Sequence, residues 1–227
     1  MIYRHEPLRQ INGIPVFCEH DAYVANYEQI AADHLAHLAA TGRNPWQPDG
    51  TLLAMEGATG AIVRKYAADG SRILDVGVCL GRLLAPLTTL DRYGVDLAAD
   101  YLEVAREEGI TVALARAEDL PYQDGLFDTV VATDVLEHVL DLHRTVSECL
   151  RVLRPGGTLI VRVPREDDLA PYLDSEYDFV HLRRFDVPTL QLLLGRIFTT
   201  TIQLISEVAA TAEGTTGREI IVATRKP

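Results

Sequence analysis

Acidic residues recur at the ends of four apolar runs, and two glycines follow the first of them. Asp75 closes Ile73-Leu74-Asp75-Val76 with Gly77 and Gly81 just beyond, and Asp96 closes Tyr93-Gly94-Val95. Ala117, Glu118 and Asp119 follow Thr111–Leu114, and Asp134, with Glu137 and His138, follows Asp128–Thr133. Glycines at a strand-to-helix turn let the backbone approach a ligand closely, while the helix start aims unpaired N–H groups at the same space. Carboxylates on that rim can hold hydroxyl or ammonium groups, and a histidine among them can move a proton near neutral pH. The pattern offers a pocket for a nucleotide-like ligand.

Two of the acids narrow the choice. Asp96 lies 19 positions after Gly77, near the roughly 20-residue interval at which an acid reaches the hydroxyls of a ribose. The plainer role for such an acid is to cap the next helix. Asp75 stands two residues before Gly77. A dinucleotide would place a pyrophosphate there and be repelled, whereas a ligand with a positive amino group would be attracted. The alternative is that Asp75 only holds backbone amides of its own turn.

For one rim to collect these acids, their strands must run parallel with helices between them. The apolar spacing predicts strands at Arg72–Val76, Arg92–Leu97, Thr111–Leu114, Asp128–Thr133 and Thr158–Val163. Helices are predicted at Leu80–Leu90, Asp100–Glu108, Asp141–Leu153 and Val187–Arg196, although Pro86 interrupts the first. Phe198–Val208 and Glu219–Thr224 then read as two strands joined directly, which makes them an antiparallel hairpin. Before the first strand, residues 1–18 suggest a hairpin or an arm. A helix from Asp21 to Gly42 and another over Thr51–Ala68 are placed to cover the sheet. Residues 1–70 are thus expected to be a cover belonging to the same domain as residues 71–227. The segment from about 164 to 186 is a long, aromatic and charged insertion suited to substrate selection.

A net charge of −12 argues against a phosphate-backbone partner. No apolar run approaches a membrane span and no apolar signal core opens the chain, so a cytoplasmic protein, monomer or homodimer, is expected. Cys18, Cys79 and Cys149 show no Cys-x-x-Cys pairing. Asp-Val-Leu-Glu-His contains metal-ligand types, but without a second partner segment it supports no metal site.

The run Leu74-Asp75-Val76-Gly77-Val78-Cys79-Leu80-Gly81-Arg82 resembles the first motif of class I S-adenosylmethionine-dependent methyltransferases. Further segments agree with that family in order: Tyr93-Gly94-Val95-Asp96-Leu97, Ala117–Asp128, Asp134-Val135-Leu136-Glu137-His138-Val139 and Leu150–Gly157. The resemblance spans about Arg72–Pro164 and implies a doubly wound, Rossmann-like α/β fold. Its seven-stranded sheet would be mostly parallel, with a C-terminal antiparallel hairpin and a helical N-terminal cover. It implies S-adenosyl-L-methionine as cofactor and S-adenosyl-L-homocysteine as product. A small-molecule acceptor, methylated on O, N or C, is expected because no basic surface argues for nucleic acid, no added domain for a protein substrate and no amphipathic anchor for lipid.

The same resemblance assigns roles residue by residue. Gly77, Cys79 and Gly81 would pass along the methionine part, with Asp75 at its amino group. Asp96 would hold the ribose, Leu97 would lie against the adenine, and Ala117 and Glu118 would meet the adenine edge. Asp134 and His138 would stand near the sulfonium and the acceptor. The family usually has glycine where this chain has Cys79, and often an acid where it has Arg116. For a general base the order is His138, Asp134, then His181, with a structural role for His138 equally open. Tyr23 and Tyr27 suit either a lid with an aromatic face toward a cation or ordinary core packing. Tyr172, His181 and Arg184 are the substrate-side candidates, and His34 and His37 read as solvated. Two other readings share these residues: a nicotinamide-dependent oxidoreductase, and a non-catalytic S-adenosylmethionine-binding protein.

Overall fold

The chain was described from a computed structural model, which covers residues 2–46, 49–165, 181–212 and 215–227. Strands β1 (Arg9–Ile11) and β2 (Ile14–Val16) form a hairpin, followed by helices α1 (Ala22–Thr41) and α2 (Asp49–Tyr66). The alternating part runs β3 (Arg72–Val76), β4 (Asp91–Asp96), α3 (Ala99–Glu107), β5 (Thr111–Leu114), β6 (Phe127–Thr133), α4 (Leu142–Val152) and β7 (Leu153–Pro164). It ends with α5 (Val187–Leu190), a π-helical stretch (Gln191–Ile197), β8 (Thr201–Ala212) and β9 (Thr215–Arg225).

The strands form one sheet in the order β1-β2-β5-β4-β3-β6-β7-β9-β8. The five strands β5-β4-β3-β6-β7 are parallel, and β9 and β8 close the other edge as an antiparallel hairpin. Among the described residues the sheet has nine strands rather than the expected seven. Asn12 and Gly13 take left-handed conformations, turn β1 onto β2, and let Val16 pair with Leu114 at the edge of β5. The N-terminal arm therefore extends the sheet.

Alternation of apolar side chains explains why the middle strands are covered on both faces. Leu74, Val76, Val130, Ala132, Leu159 and Val161 face one apolar layer, where α4 contributes Val146, Cys149 and Val152. Ile73, Val131 and Ile160 face the other, with Val63 of α2 and Leu102 and Ala105 of α3. Sequence signals set the helix ends. Asp21 accepts a hydrogen bond from Val24 N at 3.1 Å at the start of α1, and Gly42 ends it in a left-handed conformation. Asp141 caps α4 through Arg144 N at 2.9 Å.

The expected helix at Leu80–Leu90 is not formed. This stretch is a series of tight turns, with Gly81 N bonded to Val78 O and Leu87 N to Leu84 O. Pro86 has no N–H and blocks the preceding turn, so a segment this short cannot repay the cost of helix nucleation. The expected helix at 187–196 begins as α-helix but continues in π form, closed by Phe198 N bonded to Leu193 O. The last two strands run longer than the apolar pattern indicated.

Candidate active site

Chain order reverses between β3 and β6, the place where an open α/β sheet leaves a crevice beyond its strand ends. A cavity of about 1020 Å³ opens there. Asp75, Gly77, Cys79, Asp96, Leu97, Ala117, Glu118, Asp134, His138 and His181 all line it, as do Tyr23 and Tyr27 of α1, which roofs it.

Asp75 is buried at 2 % exposure, and its Oδ1 meets no hydrogen-bond donor among the described residues. Burial pushes its carboxyl well above the ordinary range; Arg162 opposes this, while Asp96, Glu56 and Asp134 add to it. Holding backbone amides of its turn does not account for that oxygen. Gly77 has φ +78°, and a Cβ there would meet Val135 Cγ2 at 2.4 Å. Gly81 does not line the cavity: a Cβ there would meet Ile110 Cδ1 at 2.7 Å and Ala105 Cα at 3.2 Å. Its lack of a side chain serves the approach of α3.

Asp96 does not cap α3, whose N-cap Ala98 has no side-chain cap hydrogen bond, but it holds backbone N–H groups just ahead of that helix and in the glycine turn. Its Oδ2 accepts from Cys79 N at 2.9 Å, and its Oδ1 from Leu97 N at 2.8 Å and Ala98 N at 3.1 Å. Burial raises its carboxyl, and these three N–H groups oppose the rise. A carboxylate offers about four acceptor directions, so about one remains for a ligand hydroxyl. Cys79 keeps a left-handed conformation (φ +47°) despite its side chain, and burial pushes its thiol up to about 12.

Asp134 is also left-handed (φ +55°). Its carboxylate pairs with Arg162, whose Nε lies 3.4 Å from Oδ1 and whose Nη1 reaches Thr59 Oγ1 at 3.3 Å. Arg162 lines the cavity and is a candidate that sequence reasoning passed over. Its signal was a lone charge inside Leu159-Ile160-Val161-Arg162-Val163, which a buried strand tolerates only with a partner. Two left-handed residues other than glycine thus flank one cavity, and such strain concentrates at functional sites.

The structure gathers His138, His181, Tyr23 and Tyr27 at one end of the cavity. The histidine rings lie 4.6 Å apart, the Tyr27 ring stands edge-on to His138 at 6.4 Å, and the Tyr23 hydroxyl donates to His138 O at 3.4 Å. His138 sits in a single turn between β6 and α4, with its N–H bonded to Val135 O. Beside it Glu137 is 1 % exposed; neither carboxylate oxygen finds a hydrogen-bond donor among the described residues, and burial raises its carboxyl strongly.

Several expectations are relocated. Glu118 lines the cavity, but its Oε1 accepts from Leu140 N at 3.0 Å. Arg116 pairs with Asp21 and lies over the Tyr23 ring at 5.0 Å, so it anchors the roof helix. Arg184 is exposed outside the cavity, while Arg183 turns inward to Leu136 O at 2.5 Å. Tyr172, and most of the 164–186 insertion, lie outside the described residues. His34 is not solvated. It is 2 % exposed, bonded to Tyr101 at 2.6 Å, and packed on Trp46.

Residues 74–161 match the family described as a methyltransferase domain. The chain is 35 % identical over 134 residues to a probable S-adenosylmethionine-dependent methyltransferase of Mycolicibacterium smegmatis, covering 51 % of each. It is 34 % identical over 155 residues to a ubiquinone biosynthesis O-methyltransferase of Xylella fastidiosa, covering 63 % of this chain and 62 % of that one. The chain spans about half to three-fifths of the length of the curated relatives it matches. A Burkholderia thailandensis 1,6-didemethyltoxoflavin-N1-methyltransferase, solved with its substrate and S-adenosylhomocysteine, shares the fold at a TM-score of 0.65. That likeness holds at 20 % identity over 92 % of both chains.

Proposed function

We propose, from the premise that residues 74–161 are a methyltransferase domain of the class I S-adenosylmethionine-dependent family, that this chain transfers a methyl group to a small molecule. The observation that carries the reading is Asp75, a buried carboxylate with an oxygen that meets no donor among the described residues, in the cavity beside Gly77. It fits an amino group and repels a pyrophosphate. The turns after Gly77 also present no α-helix N-terminus, the feature a dinucleotide exploits. A nicotinamide cofactor is disfavoured on both counts.

S-adenosylmethionine supplies an electrophilic methyl group on a sulfonium, which an acceptor displaces in line. Asp75 would hold the amino group, Gly77 and Cys79 the methionine part, and Asp96 a ribose hydroxyl. Leu97, Ala117 and Glu118 would border the adenine, with Asp134 and His138 on the acceptor side. Positioning of two reactants is worth about 7–11 kcal/mol, whereas a placed base adds about 10²–10⁴-fold. Most of the work therefore falls to the cavity walls, with His138 as base where the acceptor needs one. The roof helix carries Tyr23 and Tyr27 over the same space, in keeping with a lid that excludes water.

Small-molecule acceptors are supported by the printed names of relatives and by the size of the cavity. The test is transfer of labelled methyl from S-adenosylmethionine into the low-molecular-mass fraction of a cell extract. Label should enter that fraction, and Asp96→Ala should reduce it through cofactor binding more than His138→Ala does. Label confined to macromolecules, or absent despite tight cofactor binding, would overturn the reading.

A further inference from the structure

Glu137, His138 and His181 offer one ligand atom each, and these atoms all lie within 4.8 Å of one another. All three residues line the cavity. In the sequence, Glu137-His138 is half of a site, and the fold supplies the other half by docking the segment after residue 180 on the turn that follows β6. Leu182 N donates to Glu137 O at 2.8 Å, and Arg183 Nη1 donates to Leu136 O at 2.5 Å. These two bonds set His181 against His138.

Glu137 is the more telling member. Burying a carboxylate costs several kcal/mol unless a donor or a cation meets it, yet neither of its oxygens meets a donor among the described residues. The nearby guanidinium of Arg162 is already paired with Asp134. Asp134 and Glu219 add negative charge around Glu137. A cation in this position would answer the buried charge.

We propose that Glu137, His138 and His181 bind one divalent transition-metal ion at the acceptor side of the cavity. Two imidazoles and one carboxylate suit Zn²⁺, Fe²⁺, Mn²⁺ or Co²⁺; Mg²⁺ and Ca²⁺ prefer oxygen ligands throughout. Donors about 2.0–2.1 Å from such an ion stand roughly 3.3 Å apart, so ligand atoms that lie within 4.8 Å of one another need close by at most about 1.5 Å. Three protein ligands leave coordination positions open toward the cavity. The ion's use in methyl transfer rests on the function proposed above, and its binding does not. In that use, and in place of His138 as base, an acceptor hydroxyl at an open position would lose its proton to solvent; its oxygen would then form the new O–CH3 bond as the methyl–sulfonium C–S bond breaks, and S-adenosylhomocysteine would leave as the neutral thioether.

The test is calorimetric and optical titration of untagged, chelator-treated protein with Co²⁺, followed by competition with Zn²⁺. One equivalent should bind, giving visible d–d bands that Zn²⁺ abolishes. His181→Ala and Glu137→Gln should each weaken binding at least about tenfold, with Glu137→Gln keeping the side-chain shape should His181→Ala disturb the fold. Substoichiometric binding, or equal binding by both variants, overturns the proposal. Metal-free protein that binds S-adenosylhomocysteine but takes up no Co²⁺ overturns the metal site and leaves the methyltransferase reading standing. Uptake of Co²⁺ by protein that binds neither sulfur ligand does the reverse.

Discussion

The residues around the cavity divide by whether their polar atoms are already used. Asp96 is largely committed to three backbone N–H groups and Asp134 to Arg162, whereas Asp75 and Glu137 retain oxygens without donors among the described residues. His34 is a different case: burial holds its imidazole down to about 4 from an ordinary 6.5. Between those values the unfolded chain takes up a proton that the folded chain refuses, so stability falls as pH drops from 6.5 towards 4. His34→Gln should therefore flatten the acid arm of a melting-temperature profile, and an unchanged arm would place the acid sensitivity elsewhere. Residue positions were legible where chemistry dictates them, as for Asp75, which lines the cavity ahead of the glycine turn. They were hidden where a distant segment decides them. His34 looked like one of two polar positions on α1 until Tyr101 and Trp46 closed over it, and Glu137-His138 lacked its partner until the fold brought in His181.

At the scale of elements, alternating apolar runs revealed five parallel strands and the closing hairpin, because period-two burial on both faces leaves a plain mark. The first crossover was misread. Leu80–Leu90 has helix-like apolar spacing, but Pro86 decides its conformation, and spacing alone does not weigh a missing N–H. The two glycines of the opening turn also separate by task. Gly77→Ala adds left-handed strain of at least about 1–2 kcal/mol and drives a methyl into Val135, so it should lower both stability and ligand affinity. Gly81→Ala strikes Ile110 and Ala105 of the α3 layer. Urea unfolding should show both variants destabilised, while calorimetry with S-adenosylhomocysteine should show the larger affinity loss for Gly77→Ala. Equal affinity losses would mean that Gly81 also meets the ligand.

The whole molecule is a doubly wound sheet with its N-terminal part used twice, as an added edge in β1 and β2 and as a roof in α1. Arg116 ties that roof to the rim through Asp21 and Tyr23. No described helix is long and apolar enough to cross a membrane. The central claim is that the cavity at the β3–β6 switch takes a ligand whose amino group meets Asp75. Thermal melting of wild-type protein and Asp75→Asn with S-adenosylmethionine, S-adenosylhomocysteine or NAD tests it most directly. A ligand at about 100 times its dissociation constant adds about 2.7 kcal/mol, roughly 5–10 °C for a chain of this size. The account predicts that shift for both sulfur ligands with wild type, little or none with Asp75→Asn, and none with NAD. A shift with NAD alone, or equal shifts for wild type and Asp75→Asn, would contradict it.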